Sequence, residues 1–328
     1  MLNNETLVVP DTDTVRAALD LACRAPSVHN SQPWRWRVGG STVDLFADWS
    51  RHLPGTDPDG RDLLVSCGAL LHHTKVAFAA FGWQTQVHRM PDPGDPHHLA
   101  TIGFAPGEAD RSDLALAAAI LRRRSDRRAY SATALSANVL ATLAAAADAN
   151  GAVLAPITSP AARAPLVAAI ARATAKQNRD PRYREEIARW SGRQATSPDG
   201  VASSNTVTAA SYGAIALRDF AAPAIEVLSQ VSGAGQLLVL ATTSDDTLSR
   251  LRAGEASSAV LLAATVARLA VCPLTQPLEV ESTRALVRDT VLGGALFPQM
   301  VLRVGLSRRG DLALPTTARR RLDDMLTA

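Results

Sequence analysis

The 328 residues carry 34 basic and 31 acidic side chains, and a net charge of +3 makes no electrostatic case for nucleic acid. With 47% hydrophobic and 20% charged residues the chain can bury a sizeable core, which excludes wholesale disorder, and its length suits two domains or one large one. Cys23, Cys67 and Cys272 are too far apart for a metal or redox spacing and too few for a disulfide framework, so a reducing, cytoplasmic setting is expected. No apolar run reaches the ~18 residues that a membrane span needs, and the polar N-terminus does not resemble a signal peptide.

An amphipathic helix is expected over 13–24, and Pro26 stops it by biasing Ala25 away from helical backbone. A polar loop then presents Ser27, His29, Asn30 and Gln32, and Pro33 stiffens the entry to a strand over 34–38. Gly39-Gly40, between two alternating runs, predicts a hairpin into a strand over 42–47. A long helix over 61–81 and strands over 84–90 and 99–104 follow, with a loop over 90–96 and a boundary near 105–110. The second half reads as helices over 112–123 and 136–148, a strand over 153–157, and helices over 160–178 and 181–192. A stretch of small polar residues covers 191–211; then come a strand (237–241), a long helix (254–270), a helix (282–292) and a strand (299–304). Gly68 and Gly254 each open an alanine-rich helical run, a weak internal similarity that supports a duplicated architecture.

Few segments suggest chemistry. The loop after the first helix carries many hydrogen-bonding groups, costly to bury without partners; by itself it reads equally as a solvated helix end. Leu121 to Arg128 holds five arginines, whose planar forks suit phosphate. Arg123 and Arg127 share a face if the segment is helical; Arg123, Ser125 and Arg127 share one if it is extended. The alternatives are compensation of a helix dipole and a nucleic-acid patch, the latter disfavoured because no aromatic residues interleave with the arginines. Cys272 to Pro277 reads as a helix exit, and Arg319 to Arg321 as a basic tail. His72-His73 and His97-His98 lack a third ligand at a zinc spacing, so no metal is expected. Gly233-Ala234-Gly235 precedes a strand, the wrong order for a dinucleotide fingerprint.

The segment Ala25-Pro26-Ser27-Val28-His29-Asn30-Ser31-Gln32-Pro33-Trp34 resembles the Ala-Pro-Ser-x-x-Asn-x-Gln-Pro-Trp loop of the nitroreductase family of flavin enzymes, with Val28 where a second serine is usual. In that family the loop crosses a dimer interface to the partner's FMN. Arg123-Arg124-Ser125-Asp126-Arg127 resembles the family's opening Arg-Arg-Ser-x-Arg, which holds the FMN phosphate. The family places the arginine cluster before the loop; here the order is reversed, and each half carries the piece the other lacks. The chain therefore resembles a nitroreductase dimer fused into one polypeptide with one site retained, as in the divergent actinobacterial Acg-like branch.

This resemblance implies an α+β fold of two pseudo-symmetric halves, 1–108 and 109–328, each with a mostly antiparallel sheet flanked by helices. It implies FMN held by Pro26, Ser27, Asn30, Gln32, Arg123, Arg124, Ser125 and Arg127. Pro273, Thr275 and Gln276 would run along the flavin, with Thr275 or Gln276 offering an N–H to N5, and Arg319 or Arg320 would return to the phosphate. NAD(P)H and a small nitroaromatic or quinone acceptor are the further partners implied, without a catalytic side chain, because the flavin carries the chemistry. The insertion over 177–211, with Tyr183 and Trp190, suits a lid or a dimer-embracing arm, and the assembly would be a monomeric pseudo-dimer or a homodimer. A lid over the flavin would make the chain an FMN-sequestering or flavin-sensing protein instead. A flavin-free protein that binds an acidic partner through its arginines is a third expectation.

Overall fold

A computed structural model describes residues 8–208, 211–212, 214–226, 235–308 and 310–327. Two residues of the predicted insertion, 209 and 210, and Gly233 and Ala234 lie outside the described residues. The first half runs α1 (Thr12–Ala22), β1 (Trp34–Val38), β2 (Thr42–Ala47), α2 (Arg61–Ala80), β3 (Trp83–Arg89) and β4 (His98–Pro106). The second half begins with α3 (Arg111–Arg122), α4 (Ala137–Asp148), β5 (Val153–Ile157), α5 (Pro160–Arg179) and α6 (Pro181–Trp190). Four short strands follow: β6 (Ser191–Arg193), β7 (Val201–Ala202), β8 (Ser211–Tyr212) and β9 (Ile215–Ala216). The chain closes with β10 (Gln236–Thr242), α7 (Thr247–Val266), β11 (Ala270–Pro273), α8 (Gln276–Glu279), α9 (Glu281–Val291) and β12 (Phe297–Gly305).

Two four-stranded sheets organise these elements, in the orders β1-β2-β4-β3 and β11-β12-β10-β5, and every pairing in them is antiparallel. Read backwards, the second is β5-β10-β12-β11, so it repeats the first strand for strand, with α7 where α2 stands. The fold is thus α+β with two pseudo-symmetric halves. The long helices α2 and α7 have 20 residues each, with Gly68 the eighth of one and Gly254 the eighth of the other. They meet at these glycines. A Cβ on Gly68 would lie 1.9 Å from the Leu251 carbonyl oxygen, and one on Gly254 would lie 2.1 Å from that of Val65. The weak internal similarity of the sequence therefore marks a crossing where backbone meets backbone, which only glycine allows.

Packing from all sides buries α2 almost throughout. Its best window, with a mean hydropathy of 1.3, is long and apolar enough to cross a membrane, which corrects the expectation that no segment is; 83% of that window is buried inside the molecule, as in a core helix.

The largest boundary difference is at α7, which starts seven residues before the predicted 254. Asp246 caps it by accepting from the Ser249 N–H at 2.7 Å. Its end is fixed by Arg268 at φ +57°, with the Leu269 N–H donating to the Ala264 carbonyl at 2.8 Å. Residues 270–273 are thereby released to pair as β11, a strand the apolar run concealed. After β12 the chain returns to the first half, where the Thr327 N–H donates to the Trp36 carbonyl at 2.7 Å. That return carries residues 315–320 past the seam between the halves.

Candidate functional site

The loop after α1 is strained and pinned. His29, Asn30 and Gln32 have φ of +47°, +56° and +50°, a region that side chains with a Cβ rarely adopt. Three surroundings hold it. The Val28 N–H donates to Ser66 Oγ of α2 at 3.1 Å, and the Gln32 N–H to Ser27 Oγ at 3.0 Å. Asn30 Nδ2 donates to the Gly200 and Ala318 carbonyls at 3.3 and 3.2 Å, and Gln32 Nε2 to that of Pro198 at 2.8 Å. One loop thus ties together α2, the insertion and the C-terminal tail.

A cleft opens beside this loop, in two connected chambers. The first is mainly apolar. The first half lines it with Pro26 to His29 and with Asp62, Val65, Ser66 and Ala69 of α2. The second half contributes Ser257 and Leu261 of α7, Cys272 to Gln276, and Met300. Val207, Leu217, Arg218 and Phe220, from the segment between β7 and β10, also line it. The second chamber shares Pro26, Ser27, His29, Ser125 and Arg127 with the first. It adds Arg24, Arg123, Arg124 and Arg319, with Asn30, Asn205 and Thr317 among them.

The arginine segment is extended. Helix α3 ends at Arg122, Arg123 has ψ 128°, and Ser125 bridges Val271 of β11 in parallel. The Asp126 N–H donates to the Val271 carbonyl at 2.8 Å. Alternation then gives Arg123, Ser125 and Arg127 one side, which decides between the two geometries that the sequence left open. On the other side Arg128 is neutralised by Asp126 at 2.7 Å.

No such partner serves the chamber. Among the described residues, Arg24, Arg123, Arg124, Arg127 and Arg319 form no ion pair. Arg123 is buried with its Nε and Nη1 unpartnered, and Arg319 Nε is unpartnered too. Burial, then Arg124, Arg127 and Arg24, push Arg123 down to about 10. Burial, then Arg123, Arg24 and Arg124, push Arg319 down to about 9. Buried cations without a counter-charge are expensive, so this chamber is built for an anion.

The apolar chamber has a different chemistry. Burial, then Arg218 and Arg127, hold His29 well below its ordinary value, so its ring is neutral. Its edge meets Phe220 at 5.9 Å, and the Arg127 guanidinium lies 4.8 Å from the same ring. Arg218 is paired with Glu279, and it donates to Tyr183 Oη at 2.7 Å and to Thr275 Oγ1 at 3.2 Å.

No family model matches the chain. Three proteins of Mycobacterium tuberculosis H37Rv are similar to it along nearly its whole length. "Putative NAD(P)H nitroreductase Rv3131" is 46% identical over 321 residues, 97% of this chain and 92% of that protein. "Putative NAD(P)H nitroreductase acg" is 39% identical over 323 residues, 96% of this chain and 95% of that protein. The chain belongs to the nitroreductase family, in its Acg-like branch. A third relative, "Uncharacterized protein Rv3127", is 35% identical over 328 residues, 95% of this chain and 92% of that protein. Among solved structures, a nitroreductase with bound FMN from Bacteroides fragilis aligns at a TM-score of 0.38 and 15% identity, over 60% of this chain and 90% of that one.

Of the residues that the family motifs single out, Pro26, Ser27, Asn30, Arg123, Arg124, Ser125, Arg127, Pro273, Thr275, Gln276 and Arg319 line the cleft of this nitroreductase-family chain. Gln32 and Arg320 do not line it. They fasten the tail to the loop: the Arg320 N–H donates to Gln32 Oε1 at 2.9 Å, and Arg320 Nη2 to the Asp324 carbonyl at 2.6 Å. Their polar atoms are spent on folding. The predicted insertion supplies part of the wall, with Gly200 to Ala202, Asn205 and Val207 lining the cleft. Tyr183 sits beneath Arg218 and Trp190 beneath Arg51, and neither lines the cleft, whereas Leu217, Arg218 and Phe220 lie beyond the predicted insertion and do.

Proposed function

We propose that the cleft between the halves 1–108 and 109–328 is an FMN site, with the ring system in the apolar chamber and the phosphate in the basic one. The observation that carries this reading is the set of five arginines without an acidic partner, two of them with unpartnered buried nitrogens, at one end of an apolar cleft. The donors fit a phosphate monoester: Arg123, Ser125 and Arg127 converge from one extended segment, and Arg24 and Arg319 close the other side. Thr275 and Gln276 are the residues whose N–H would meet the ring, and Val207, Leu217 and Phe220 would keep water from its face.

Bound FMN would accept hydride from NAD(P)H and pass electrons to a nitroaromatic or quinone-type acceptor, which makes the chain an NAD(P)H-dependent flavin oxidoreductase. The protein's part is to bind, orient and desolvate. A second reading is supported by the cover: Leu217, Arg218 and Phe220 reach into the chamber where a nicotinamide would approach, as they would in a protein that stores or senses FMN.

The double variant Arg123→Ala plus Arg127→Ala should purify without flavin, while the parent purifies yellow. A double variant with full flavin content contradicts the phosphate assignment. Anaerobic NADH or NADPH should bleach the parent under the oxidoreductase reading and leave it yellow under the storage reading.

A further inference from the structure

Among the described residues, one acid in the apolar chamber has a buried oxygen without a partner. Asp62 is the second residue of α2, is buried, and lines the chamber with its Oδ2 unpartnered. The charged groups around it are committed elsewhere. Asp57, in the loop before α2, caps the helix by accepting from the Leu63 N–H at 2.8 Å. Arg61 pairs with Asp245 and donates to Gln299 Oε1 at 2.8 Å. Arg218, from the covering segment, is paired with Glu279 of α8. Ser66 Oγ, one turn along, donates to the Asp62 main-chain carbonyl at 2.5 Å. Arg127, the remaining cation of the chamber wall, lies over Phe220 and donates to the Asn205 carbonyl at 2.9 Å, so among the described residues no ion pair neutralises the Asp62 carboxylate. Burial, then Asp57 and Glu279, hold this carboxyl protonated well above the usual carboxylate range, against the opposing pull of Arg61 and Arg218. His29, the other titratable group of the loop facing this chamber, is neutral and adds no charge.

A protonated carboxyl differs from the rest of the chamber wall in one respect: it has an O–H to donate. We propose that Asp62 is a specificity-determining hydrogen-bond donor to a neutral ring-borne oxygen, carbonyl or nitro, bound in the apolar chamber. The inference rests on the reading of the cleft as a flavin site and goes beyond it. Such an oxygen belongs either to the flavin ring or to the acceptor.

The test uses the full chain, the parent and the variants Asp62→Asn and Asp62→Leu. Asparagine keeps a donor and loses the titration; leucine loses both. FMN affinity is measured on the flavin-stripped proteins, and nitrobenzene affinity on the oxidised holoproteins by the perturbation of flavin absorbance. Both are followed from acid to alkaline pH, and the Asn variant provides the baseline for the titration of FMN itself. In one of the two titrations the parent should weaken about tenfold relative to Asn as the pH rises, and Leu should already be about tenfold weaker at acid pH. An effect on FMN identifies a ring carbonyl as the acceptor of the bond; an effect on nitrobenzene identifies the bound acceptor. Parent, Asn and Leu profiles that coincide for both ligands overturn the proposal and leave the FMN site standing. A parent that binds no FMN overturns both.

Discussion

Across the α2–α7 crossing the molecule repeats its backbone and not its side chains. Ala69 follows the crossing glycine of α2 and lines the apolar chamber. Glu255 follows the crossing glycine of α7; it is buried, and Arg89 donates to its two oxygens at 2.7 Å each, with Lys75 at 3.6 Å. The one side holds cations without an acid, the other a carboxylate with its own cations. A buried carboxylate that has its own cations needs no ligand; buried cations without a counter-charge are stabilised by binding an anion. Pseudo-symmetry thus fixes where two sites would stand, and charge decides which of them is open.

That comparison can be broken on the filled side first. Glu255→Ala leaves Arg89 facing a void, and a loss of about 3–5 kcal/mol is expected in urea unfolding, with FMN affinity unchanged in the folded fraction. A neutral effect on stability would mean that the carboxylate is incidental. The crossing itself comes next. Gly254→Ala puts a methyl 2.1 Å from the Val65 carbonyl oxygen and 2.7 Å from Gly68 Cα, so the helices must part at a cost of about 3 kcal/mol. Thermal unfolding close to the parent's would show that the helices do not meet there.

On the open side, Asp62→Asn should change the pH dependence of stability. The folded Asp62 value lies above the unfolded one, so its favourable contribution is complete below the ordinary carboxylate range and is lost as pH rises through the folded value. The variant should therefore gain on the parent towards alkaline pH; parallel stability curves would contradict this. The smallest effect is expected of Gln32→Ala, about 1 kcal/mol for bonds lost to Pro198 and Arg320, with an unchanged flavin spectrum. A shifted spectrum would return Gln32 to the cofactor.

Much of the site was legible because three of its pieces are contiguous: the loop after α1, the Arg123–Arg127 segment, and the Pro273–Gln276 exit all carry motifs. Motifs do not say which polar groups are spent on folding, so Gln32 and Arg320 read the same as Asn30 and Arg319. Asp62, Ser66 and Ser257 were invisible for a different reason. They lie on helices packed on every side, where a face towards a cavity has no pattern to separate it from a face towards the core. The covering residues Leu217, Arg218 and Phe220 sit in irregular chain without periodicity, so composition marked the part of the wall before 211 and not its continuation. The sheets were legible from alternation and turn residues, except β11, whose four residues merged with the helix before it.

Affinity for FMN against riboflavin tests the central claim most directly, because the two ligands differ only in the phosphate. The parent should prefer FMN by at least about a hundredfold, and the double variant Arg123→Ala plus Arg127→Ala, which keeps Arg24, Arg124 and Arg319, should lose most of that preference. Equal affinities in the parent, or a preference for FMN undiminished in the variant, would contradict the assignment of the basic chamber.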